Sequence, residues 1–134
     1  AKENALANAV PDTRIRWIED DAYKFVTREQ KRGVKYDAII LDPPRFGRGT
    51  KGEVWKLSDD LPKLINACMS LLSEHAQFLL VNCYTADMSA IALGQLLTDL
   101  IKNREGTVTY GELALKEQGA NRLLPSGIFA RWQA

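Results

Sequence analysis

Apolar and polar positions along this chain follow two different periods. Residues 36–44, YDAIILDPP, form a short, nearly continuous apolar run that ends in a double proline. Such a run predicts a central strand of a parallel sheet, buried on both faces. Neither Pro43 nor Pro44 can continue a ladder, so the strand must stop there. AQFLLVNCY (76–84) predicts a second buried strand, and RIRWI (14–18) alternates as a strand with one covered face would. TVTYGELAL (107–115) and SGIFARW (126–132) read as the last two strands, parted by a polar loop around Gly119 to Arg122.

Between these runs the period lengthens. Ala22, Phe25 and Val26 share one side of a helix that ends near Gly33. Leu57, Leu61, Leu64, Ile65, Cys68, Leu71 and Leu72 recur at helical steps, as do Leu93, Leu96, Leu97, Leu100 and Ile101 after a candidate cap at Ser89. The opening AKENALANA reads as the end of an amphipathic helix, broken at Pro11 and Asp12. RFGRGTKGEVWK (45–56) has little periodicity, three glycines and four cations, which predicts an exposed, mobile loop suited to facing a substrate. Helices alternating with strands mean an α/β fold, with a mostly parallel sheet, helices on both faces and an antiparallel last strand.

Composition changes this picture little. With 134 residues, 46% hydrophobic and 26% charged, the chain fits a single globular domain spanning 1–134. It has no apolar run long enough for a membrane span and no secretory leader, so the cytoplasm is the expected location. A net charge of +1 does not by itself argue for nucleic acid. Cys68 and Cys83 have no zinc or disulfide spacing, so reduced thiols and no metal are expected. Because the chain starts at Ala1 without a helix cap, it reads as truncated or processed.

In open α/β sheets ligands bind beyond the carboxyl ends of the strands. The residues there are Glu19-Asp20-Asp21, Asp42-Pro43-Pro44-Arg45-Phe46 and Asn82-Cys83-Tyr84-Thr85. A strand-terminal acid before two prolines fixes the backbone while directing one carboxylate and one carbonyl into the crevice, where they can accept hydrogen bonds from an amino group on a flat ring. The plainer reading of that segment is a rigid turn. Asp20 and Asp21 could equally be helix caps, and Cys83 a small packing residue. Arg45, Arg48, Lys51 and Lys56 share a loop with Phe46 and Trp55, a mixture suited either to phosphate contact with base stacking or simply to solvent. His75 reads as a cation at a helix end, and Met69 and Trp17 as core packing.

Strand-DPP-x-F resembles motif IV of class I S-adenosylmethionine (SAM) dependent methyltransferases. The following GRG and the terminal LLPSGIFARW look like the bacterial large-subunit rRNA cytosine-5 group of that family. The likeness implies a Rossmann-like sheet of order 3-2-1-4-5-7-6, here lacking its first two strands and the Gly-rich loop that holds the methionine end of SAM. The segment alone is then expected to be inactive, and its open strand edges would invite self-association. By the same likeness, Asp21 and the backbone of Ala22 would hold the adenine, and Asp42, Pro43, Pro44 and Phe46 would face the base, Asp42 also bordering the cofactor. Arg45, Arg48 and Lys51 would meet structured RNA. Cytosine C5 needs a thiolate added at C6 before it accepts a methyl group, a role for which Cys83 is placed; without it, an exocyclic amine is the natural acceptor. DNA, protein or a small molecule as acceptor, or a non-catalytic RNA-binding module, remain alternatives. A nucleotide-dependent dehydrogenase ranks last, because no GxGxxG is present.

Overall fold

The computed structural model describes residues 2–10, 14–49 and 52–134. Its elements are α1 (Lys2–Ala7), α2 (Ala22–Lys31), β1 (Ala38–Leu41), β2 (Phe46–Arg48), β3 (Val54–Lys56), α3 (Leu57–Met69), β4 (Phe78–Cys83), α4 (Ala90–Ile101), β5 (Thr107–Lys116) and β6 (Leu123–Gln133). Four strands form one sheet in the order β1-β4-β6-β5, and β2 pairs with β3 in a separate ribbon. β1 and β4 are parallel, and β6 runs antiparallel to both β4 and β5. β1, β4 and β5 therefore point the same way, with the last strand inserted in reverse. This order is the 4-5-7-6 half of the sheet implied by the sequence likeness.

The core lies where the helical stripes meet β4 and β6. Leu61, Ile65, Leu79, Val81, Leu93, Leu97 and Ala130 are fully buried, and Trp132 nearly so. Each fully buried aliphatic side chain contributes on the order of 1.5–3 kcal/mol, so the α3, β4 and α4 stripes account for most of the hydrophobic driving force. Ser89 caps α4, its hydroxyl accepting from the Ala92 N–H at 3.1 Å.

Four expectations need correction. Residues 14–18 form no strand. A strand needs a ladder, and among the described residues nothing pairs with the outer edge of β1; Arg16 reaches Glu29 at 3.9 Å instead. Trp17 on that segment is 37% exposed rather than core. β1 consequently lies at the sheet's edge with Ile40 62% exposed, where the apolar run predicts a strand covered on both faces. Within 45–56 the described residues form an antiparallel hairpin ribbon, not an irregular loop. Phe46, Gly47 and Arg48 pair with Lys56, Trp55 and Val54, and Gly52 takes the positive φ of 85° that the turn requires.

Candidate functional site

The parallel strands β1 and β4 bring the ends of two sequence motifs to the same edge of the sheet. Leu41 lies beside Val81, so Asp42 follows β1 at the level where Asn82 and Cys83 complete β4. Gly127 closes the edge from β6. Its φ is 104°, and a Cβ there would stand 2.7 Å from the Cys83 carbonyl oxygen, so only glycine fits without displacement.

Asp21 reaches this edge from α2. It caps the helix, its Oδ1 accepting from the Lys24 N–H at 2.8 Å. The neighbouring Asp20 is committed to Arg28, whose guanidinium holds that carboxyl below its ordinary range. Asp21, not Asp20, faces the cleft. No sheet pairing carries α2 into place; Val26, buried in the core with Phe25 packed beside it, and polar tethers to neighbouring elements do. Gln30 donates to the Ala67 carbonyl at 2.9 Å and Lys35 to the Ser70 carbonyl at 2.7 Å, both at the end of α3. Lys24 pairs with Glu53 on the hairpin. Glu29 is buried on the inner side of α2, and the Tyr36 hydroxyl at 2.6 Å, with Arg32 at 3.1 Å, depresses its pKa.

These contacts create a cleft of about 390 Å³ whose walls include Asp21, Ala22, Tyr23, Leu41, Asp42, Pro43 and Trp55. The two acidic motifs found in the sequence thus share one cavity. Its lining suits an aminopurine: an exposed carboxylate to accept from an edge amine, and Tyr23, Leu41 and Trp55 for the ring faces. A second cleft of about 380 Å³, lined by Arg45, Phe46, Lys56, Thr85, Asp87 and Met88, opens beyond the double proline. Pro43 and Pro44 line the first cleft, and the next residues along the chain, Arg45 and Phe46, line the second.

Phe46 is 52% exposed on β2, available for stacking. Arg45 reaches across the second cleft to Asp87 at 2.5 Å, and Arg48 is exposed at the end of β2. Lys51 lies outside the described residues. Sequence reasoning groups Trp55 with the loop cations for base stacking, whereas the hairpin register sets it against the Pro44 carbonyl; Asp87 carries no sequence signal, since only the spatial approach of the two loops reveals it. Among the described residues no cluster of His, Cys, Asp and Glu could hold a metal ion, and no helix is long and apolar enough to cross a membrane.

Cys83 has the surroundings of a packing residue. It is 2% exposed, and burial together with the nearby Asp42 charge pushes its thiol from 9.0 to about 11. A nucleophilic cysteine needs the opposite environment, with a cation or base lowering its pKa.

No family model matches the chain. It is 34% identical over 68 residues to ribosomal RNA large subunit methyltransferase I of Tolumonas auensis, a match covering 51% of this chain and 14% of that protein. Superposition on the SAM-dependent methyltransferase from Agrobacterium tumefaciens gives a TM-score of 0.91 at 39% identity, over 98% of this chain and 44% of that one. A Streptococcus mutans structure at 20% identity, with a TM-score of 0.69 over 98% of this chain and 34% of that one, shares the fold. The chain thus spans less than half the length of these relatives. Identity to the Agrobacterium structure over 98% of this chain and the shared fold make the chain similar to class I SAM-dependent methyltransferases.

Proposed function

We propose that the protein transfers a methyl group from SAM to a nucleobase of large-subunit ribosomal RNA. The observation that carries this reading is the shared cleft. Asp21 and Ala22 on one wall and Asp42-Pro43-Pro44 on another leave room for an adenosine moiety, and Phe46 and Arg45 line a second cleft just across the prolines. The names of the relatives supply the cofactor and the RNA class. Asp21 accepts from the adenine amine, and the Ala22 backbone meets its ring nitrogen. The Asp42 carboxylate and the Pro43 carbonyl orient the acceptor, Phe46 stacks on it, and Arg45, Arg48 and Lys51 meet phosphates. SAM supplies the electrophilic methyl; the chain supplies position and electrostatics, which suffice for an exocyclic amine. Transfer to cytosine C5 would require Cys83 to be uncovered and its pKa lowered. Such a substrate places the reaction in the cytoplasm.

Self-association through the open edge of β1, where Ile40 is exposed, belongs to the same reading of this segment. Sedimentation velocity showing a monomer at high concentration removes that part alone.

The test is methyl transfer from radiolabelled SAM to in vitro transcribed large-subunit rRNA by the full-length protein, with Asp42→Asn beside it. Asp42→Asn should lower the single-turnover rate by on the order of 10²-fold, as loss of an acceptor-orienting charge does. Equal transfer by both proteins, or equal labelling of duplex DNA, refutes the proposal.

A further inference from the structure

We infer that Trp55 is a positioning residue for methyl transfer: its indole clamps the Pro44 carbonyl and thereby fixes the acceptor-binding pair formed by the Asp42 carboxylate and the Pro43 carbonyl. The inference deepens the function proposed above and rests on it.

Two consecutive prolines offer no N–H, so their carbonyls are the polar handles by which the turn can be held. The hairpin and the first residue of α3 take two successive carbonyls. Trp55 Nε1 donates to the Pro44 carbonyl at 2.7 Å, and the Leu57 N–H donates to the Arg45 carbonyl at 3.1 Å. The Pro43 carbonyl receives no hydrogen bond from any described residue, which leaves it open for a ligand. Proline rings already lock φ, so the remaining freedom of the turn is in ψ at Pro43 and Pro44. The ladder to β4 holds the Asp42 end, and Trp55 holds the Pro44 end. The peptide between them, and the direction of the Pro43 carbonyl, are set by those two anchors.

The jaw is itself fixed. Trp55 sits on β3 opposite Gly47, packs against the core, and lies between Glu53, tied to Lys24, and the buried Leu57. Its ring also lines the cleft shared by Asp21 and Asp42. Ring and N–H therefore have separable tasks. The ring is a wall of the cofactor space, and the N–H orients the acceptor side.

Trp55→Phe keeps a ring and removes the donor, whereas Trp55→Ala removes both. In the full-length protein, Trp55→Phe should leave the SAM dissociation constant within about twofold by calorimetry, while the single-turnover rate on transcribed large-subunit rRNA falls about tenfold, the effect of one lost orienting hydrogen bond. Trp55→Ala should weaken both. An unchanged rate in Trp55→Phe overturns the inference, and so does an equal loss of rate and SAM affinity, which would make Trp55 a cofactor wall alone. If the unsubstituted protein transfers no methyl group to rRNA, the underlying reading fails, and the clamp is judged by NMR instead. The Pro43 and Pro44 carbonyl ¹³C signals shift or broaden in Trp55→Phe if the indole sets their orientation, and stay in place if it does not.

Discussion

Cys83 gives the sharpest test of the chemistry, because nucleophilic and packing roles predict opposite reactivities. Its thiol rises from 9.0 to about 11 through burial and the Asp42 charge, and the buried Cys68 reaches about 11 through burial alone. At pH 8 a rise of that size lowers the thiolate fraction by about 100-fold relative to an unperturbed thiol, before any steric cost. Alkylation by iodoacetamide, followed residue by residue by peptide mass spectrometry, should therefore be at least about 100-fold slower at both cysteines than at a free thiol. Cys83→Ala should retain methyl transfer within a few-fold. The sign of the pH dependence follows as well: a pKa raised by folding favours the protonated native state, so stability is intact below about pH 9 and falls as pH climbs toward 11. Rapid alkylation of Cys83 with an apparent pKa below 8, or loss of transfer by about 10³-fold in Cys83→Ala with SAM binding intact, would refute the packing role and restore the thiolate route to C5.

Asp87→Asn releases Arg45 from an exposed ion pair, so filter binding should show tighter association with rRNA at low salt, by about two- to five-fold, an advantage that fades as salt screens it. The same substitution should change stability by less than about 1 kcal/mol in urea denaturation. Leu79→Ala empties a fully buried site on β4 and should cost about 2–5 kcal/mol in that assay. Gly127→Ala should be destabilising by at least about 1 kcal/mol, because φ is 104° and the new methyl would meet the Cys83 carbonyl; near-neutral stability would show that the β4–β6 edge is looser than described.

The legible parts of this fold were those whose signal is local. The α3 and α4 stripes, the Ser89 cap and the apolar run of β4 each carry their own periodicity and appear where the sequence puts them, except that α3 ends at Met69 and leaves Leu71 and Leu72 buried just beyond it. The segment at 14–18 has the alternation of a strand but no ladder, and pairing depends on a neighbour that no local pattern can report. The same dependence explains Ile40: a run such as AIIL states that it can be buried, while its coverage is decided by what packs on it. The hairpin at 46–56 was hidden because its strands are three residues each, too short for alternation to register. Within the site, DPP and the acidic turn were recognisable individually. Their common cleft was not, since α2 is held there by tethers from Gln30, Lys35 and Lys24 to residues distant in sequence.

Those tethers have a consequence for dynamics. α2 buries only Val26 and Glu29, whereas α3 buries six residues, so the wall carrying Asp21 and Ala22 has little apolar anchorage. Exposed ion pairs and single hydrogen bonds contribute about 0–1 kcal/mol each, far less than a buried leucine. Helix α2 should therefore open locally at a fraction of the global unfolding free energy, taking Asp21 and Ala22 with it while the DPP turn stays on its strand. Hydrogen exchange measures this directly: α2 amides should exchange well before those of α3 and β4, and Lys24→Ala should speed α2 while leaving β4 unchanged. If α2 instead exchanges together with α3 and β4 through global unfolding, its polar tethers are stronger than their exposure implies. A cofactor bridging Asp21 and Asp42 would then find its cleft already closed, instead of drawing the loose wall onto the rigid one.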